Sequence, residues 1–129
     1  MNHRTTLLSA GLLGLTGVAL GALGAHALRD FLSERGMTVA WETAARYHII
    51  HSVALLAAAA GLRSSTGAAQ RRLGWAAACW VAGTVLFSGS VYILALGGPR
   101  WMGPVTPLGG FVLMAGWLCV VAAAVPKES

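Results

Sequence analysis

Four stretches free of charge divide this chain, residues 5 to 28, 47 to 62, 73 to 99 and 101 to 126, and every Lys, Arg, Asp and Glu falls in the gaps or at the ends. A helix rises about 1.5 Å per residue and the hydrocarbon core of a bilayer is roughly 30 Å thick, so about 20 apolar residues cross it. Three of the four stretches exceed that length. The pattern predicts an all-α fold, an integral membrane four-helix bundle in one domain over residues 1–129, with spans near 6–28, 42–62, 73–96 and 107–125.

Composition excludes the soluble alternative. Only 10% of the residues are charged and 57% are hydrophobic, with a mean hydropathy of +0.70, whereas soluble domains carry about 25% charged residues. The net charge of +5 does not point to nucleic acid, because the basic residues sit beside apolar spans instead of along one amphipathic face. They read as topology signals. One side carries Arg4, Arg63, Arg71, Arg72 and Lys127, the other Arg29, Arg35, Arg46 and Arg100. That excess, with the short Arg-rich loop between spans two and three, predicts both termini in the cytoplasm.

Arg4, the apolar run after it and the triplet Ala25-His26-Ala27 also resemble a secretory leader with its cleavage site. Against this, Ala10, Gly14, Gly17, Gly21 and Gly24 recur at three- and four-residue spacing and form one stripe on a helix, which a disposable leader does not need. Small residues let a neighbouring backbone approach closely in lipid, so this stripe should face protein. Gly109 and Gly116 mark a second packing face on span four, where Thr106 is the expected N-cap and Pro107 the first helical residue. The mixed-charge segment after span one, ending at Gly36, reads as an interfacial helix or turn.

Span two has only 16 charge-free residues, about 24 Å of helix, so Glu42 and Arg46 must sit at the membrane edge, where their i, i+4 spacing lets them pair. Span three carries two faces: Gly83, Phe87, Ser90 and Leu94 on one, Thr84, Ser88 and Tyr92 on the other. Cys79 and Cys119 lie in apolar runs at similar depth, lack metal-ligand spacing and read as small hydrophobes without a disulfide.

The strings Gly21-Ala-Leu-Gly-Ala-His26-Ala-Leu28, Trp41-Glu-Thr-Ala44 with Tyr47 and His51, Phe87-Ser-Gly-Ser-Val-Tyr92-Ile-Leu-Ala-Leu96, Thr106-Pro-Leu-Gly-Gly110 and Gly116-Trp117 resemble, in this order, the family catalogued as domain of unknown function 423. Its animal relatives are named transmembrane protein 256. The resemblance covers essentially the whole chain and implies a small four-helix protein of the bacterial inner membrane without an established biochemical activity. It implies nothing for Arg46 or His48.

Depth estimates bring His26, Tyr47, His51, Ser88 and Tyr92 together in the outer half of the bundle, with His51 expected against the Ser88/Tyr92 face. Three classes of function fit such a cluster. The first is a structural or accessory membrane component in which these groups satisfy one another. The second is a small-molecule, lipid or ion site, since polar groups halfway down a membrane are its usual marker. An enzyme comes third, because no carboxylate pair, nucleophile elbow, phosphate loop or metal-ligand spacing is present. No catalytic residue or metal is assigned, the cofactor is unknown, and the expected partners are the lipid bilayer and a membrane protein or a second copy.

Overall fold

The computed structural model describes residues 1–125; Pro126, Lys127 and Glu128, used above for the end of span four and for orientation, lie outside the described residues. Among those described the structure is all-helical. Four helices are long and apolar enough to cross a membrane: α1 (His3–Ala25), α3 (Thr38–Ser64), α4 (Gly67–Ala95) and α5 (Val105–Ala124), with the short α2 (Arg29–Glu34) between the first two. Helices satisfy every backbone group within the segment, which lipid demands.

Local chemistry sets the ends. Asn2 and Thr5 form a reciprocal capping box at the start of α1. Gly36, at φ +65°, closes α2: its N–H bonds the Ser33 carbonyl, and that of Met37 the Leu32 carbonyl, at 3.0 and 2.8 Å. Gly97, at φ +92°, repeats the motif after α4. Both positions need the left-handed conformation that glycine adopts without strain. The Arg35 Nε adds a third donor, 3.0 Å from the Ala95 carbonyl, so α2 covers the orphan end of α4.

Two boundaries differ from expectation. Helix α4 begins at Gly67, well before the apolar run, and takes Arg71 and Arg72 into its first turns; hydropathy reports the lipid, not the helix. The Arg72 guanidinium is held there by the carbonyls of Ala122 and Val125 at the end of α5. Thr106 is not the N-cap of α5: a 3₁₀ turn at Arg100–Met102 and Gly103 starts the helix earlier, with Pro104 at the cap.

The helices pack in chain order, α1 on α3, α3 on α4 and α4 on α5. The middle pair supplies most of the buried residues, while α1 and α5 turn broad leucine- and valine-rich faces outward. Glycines make the close approaches. A Cβ at Gly17 would meet the His48 ring at 3.3 Å, one at Gly14 the Ser52 hydroxyl at 3.6 Å, and one at Gly24 would overlap the Trp41 indole. Gly21 departs from the expected stripe: a Cβ there meets nothing within 4 Å. Across α4 and α5, Gly109 seats the Phe87 backbone, Gly83 seats Leu113, and Gly116 seats the Trp80 indole. The two faces read on span three therefore divide between neighbours, Gly83 and Ser90 toward α5, Ser88 and Tyr92 toward α3.

Candidate functional site: a polar seam across four helices

His48 and His51, three residues apart on α3, point to different partners. His51 is the middle residue of α3, and His48 lies one turn nearer the Arg46 end. Each is buried.

Donor chemistry fixes the tautomers. The His51 Nδ1 lies 2.8 Å from the Tyr47 carbonyl, which can only accept, so Nδ1 carries the proton. Its Nε2 receives the Trp117 indole N–H at 3.2 Å, so Nε2 presents its lone pair. His48 takes the opposite form. The Thr16 hydroxyl donates to the Leu12 carbonyl at 2.8 Å, leaving its oxygen to accept from His48 Nε2 at 3.3 Å. In the neutral ring Nδ1 then accepts the Tyr92 hydroxyl at 3.3 Å. A directed chain thus runs from Tyr92 on α4 through His48 on α3 to Thr16 on α1.

The surrounding groups are similarly occupied. The Trp41 Nε1 donates to the Leu20 carbonyl at 2.9 Å, and its ring lies 4.7 Å from that of Tyr92. Ser88 donates to the Ala44 carbonyl at 2.8 Å. Ser90 donates to the Phe87 carbonyl, so Thr106 supplies the proton of their 2.7 Å contact. Among the described residues two buried atoms have no protein partner, the Trp80 Nε1 and the Thr84 Oγ1. The Trp80 ring packs on Trp117 at 4.7 Å.

Of the five residues expected in one pocket, Tyr47 and His51 stay together, their rings stacked 6.1 Å apart beside one groove, and the other three turn elsewhere. Tyr92 serves His48, not His51; Ser88 serves a backbone carbonyl; the Tyr47 ring also lies tilted against Phe87 at 4.9 Å. His26 caps the end of α1 and is exposed, away from the others. Equal depth did not fix azimuth: His51, about 60° around α3 from His48, meets Trp117 on α5, whereas His48 meets Thr16 on α1 and Tyr92 on α4. Glu42 and Arg46 are both exposed, and among the described residues no ion pair joins them. Sequence reasoning gave His48, Trp41 and Trp117 no place in the site, though Trp41 and Trp117 stand in the family strings; the signal for His48 was its i, i+4 alignment with the small residues Ala44 and Ser52.

Beside His51, a groove of about 290 Å³ opens between α3, α4 and α5, lined by Tyr47, His51, Phe87, Phe111 and Trp117 among others. Among the described residues no group of three metal-ligating side chains converges. Cys79 and Cys119 are free thiols and near neighbours across the α4/α5 contact.

Comparison with known proteins fits this picture of a small membrane bundle. A UPF0382 membrane protein of Staphylococcus epidermidis is 42% identical over 106 residues, 82% of this chain and 83% of the relative. The UPF0382 membrane protein YwdK of Bacillus subtilis is 38% identical over 117 residues, 86% of this chain and 88% of its own. The UPF0382 inner membrane protein YgdD of Escherichia coli K12 is 37% identical over 130 residues, 97% and 92%. No solved structure matches. The profile described as "Protein of unknown function (DUF423)" matches residues 20–110, which hold Gly24, Trp41, His48, His51 and Tyr92, and the chain belongs to this family of membrane proteins.

Proposed function

We propose that this protein is a structural or accessory component of the bacterial inner membrane, with both termini in the cytoplasm, and that its buried polar groups lock the helices together instead of reacting with a substrate. The observation that carries this reading is the occupancy of the histidines: all four ring nitrogens of His48 and His51 have protein partners. A ring so engaged offers a substrate neither a free base nor a free donor. Interhelical hydrogen bonds in lipid contribute about 0.6 to 2 kcal/mol each, enough for several to fix the register of four short helices.

A second reading has one observation in its favour. The groove beside His51 is lined by Tyr47, Phe87 and Trp117, and aromatic walls with a few polar groups suit a small apolar ligand. Purification in mild detergent separates the two. A stoichiometric protein partner, or a self-contained oligomer with an empty groove, supports the structural reading. A small molecule that copurifies with wild type and is lost from a folded Tyr47→Ala variant supports the second and refutes the first.

A further inference from the structure

A wider groove, of about 770 Å³, lies at the other end of the bundle between the first turn of α1, the end of α3 and the start of α4. Its lining includes His3, Leu62, Gln70, Arg71, Trp75 and Ala78. Three of the polar groups are already engaged: the Met1 ammonium, which also lines the groove, donates to the Gly74 carbonyl at 2.9 Å, the His3 Nδ1 is 2.8 Å from the Ala59 carbonyl, and the Gln70 amide donates to the Leu62 carbonyl at 3.3 Å. Arg72 turns to the end of α5. Arg71 is exposed on the rim, and among the described residues its guanidinium has no hydrogen-bond partner.

Arg71, Trp75 and Ala78 follow at i, i+4 and i+7, so they share a face of α4 that runs from the membrane edge into the apolar layer. Trp75 is 68% exposed although it is a large ring. Tryptophan at this level is the usual marker of the lipid headgroup boundary. The order along the face is a cation, an amphipathic ring, then a small apolar surface. It matches the phosphate, the ester region and the acyl chain of a phospholipid. The charge also matches: no carboxylate lines the groove, and this end of the bundle carries Arg4, Arg63, Arg71 and Arg72 with no Asp or Glu among the described residues.

We propose that this groove is a binding site for an anionic phospholipid, the phosphodiester held by Arg71 and an acyl chain laid along Trp75 and Ala78. A basic pocket between helices is a known way of selecting anionic headgroups, and a point cation outside the membrane gains little from a zwitterionic one.

The test uses the full chain in nanodiscs that contain, as a minor component, phosphatidylglycerol or phosphatidylcholine with brominated chains, which quench nearby tryptophan. The Trp75 signal is the difference between wild type and Trp75→Phe. The expected result is a roughly fivefold preference for phosphatidylglycerol, the effect of one well-placed cation. Arg71→Gln should bring the two lipids to parity, and excess inorganic phosphate should leave the wild-type preference intact. Equal quenching by both lipids in the wild type overturns the proposal whatever the variants do. A preference that survives in folded Arg71→Gln, or that inorganic phosphate abolishes, overturns it as well.

Discussion

Gly24→Ala is the smallest change that should damage this fold the most. The added methyl would overlap the Trp41 indole, whose Cε2 would stand 3.3 Å away and whose nearer atoms have no room. Trp41 cannot yield cheaply: it is 2% exposed, its Nε1 donates to the Leu20 carbonyl at 2.9 Å, and its ring packs on Tyr92. Overpacking costs about 1 to 3 kcal/mol. An indole N–H pushed off its acceptor in a dry site adds about 1 to 3 kcal/mol. The sum, about 2 to 6 kcal/mol, should show as a clear loss in reversible unfolding in mixed detergent micelles. Gly21→Ala is the control one turn away, where the methyl meets nothing within 4 Å; it should be neutral or up to about 1 kcal/mol stabilising, because alanine restricts the unfolded chain. Shrinking the ring in the Gly24→Ala background, with Trp41→Leu, should recover part of the loss. Equal stability of Gly24→Ala and wild type, or equal damage from the two alanines, would refute the steric argument.

Other sites follow the same logic. Gly116→Ala puts a methyl 2.5 Å from the Trp80 Nε1 and 3.2 Å from the Ala76 carbonyl, and should weaken the α4/α5 contact by about 1 to 3 kcal/mol in the same assay. Ser88→Ala removes the bond to the Ala44 carbonyl and should cost about 0.6 to 2 kcal/mol; no measurable change would mean the bond is idle. Cys79 and Cys119, though neighbours, should both be found as thiols by non-reducing mass measurement on freshly isolated membranes, because the proposed orientation sets them toward a reducing cytoplasm.

The spans were legible because absence of charge over some 20 residues has one physical cause, the hydrocarbon layer. The glycine faces were legible for a related reason: in lipid, close approach does what the hydrophobic effect does in water, so Gly14, Gly17, Gly24, Gly109 and Gly116 stand where helices touch. Gly21 fits the period without sitting at a contact, since a stripe drifts around a straight helix and a neighbour need not follow it. Helix ends were less legible, because a cation such as Arg72 can be helical outside the lipid when carbonyls receive it. The polar seam was the least legible part. Its residues were visible, but pairing depends on azimuth and on which helix stands beside which. Those are set by packing, so His51 was assigned the partner that belongs to His48, and Trp117, quoted only in the family pattern, was given no partner.

Two buried histidines held by protein groups should each carry a definite proton. Nitrogen-15 spectra of histidine-labelled protein in bilayers, assigned with His48→Gln and His51→Gln, read this directly. The account predicts two neutral rings of opposite tautomer: His51 protonated at Nδ1, beside the Tyr47 carbonyl, and His48 protonated at Nε2, beside Thr16. Trp117→Phe should then move the His51 Nε2 signal and leave that of His48 in place. A His51 ring protonated at Nε2 or at both nitrogens cannot accept the Trp117 N–H, and would contradict the account.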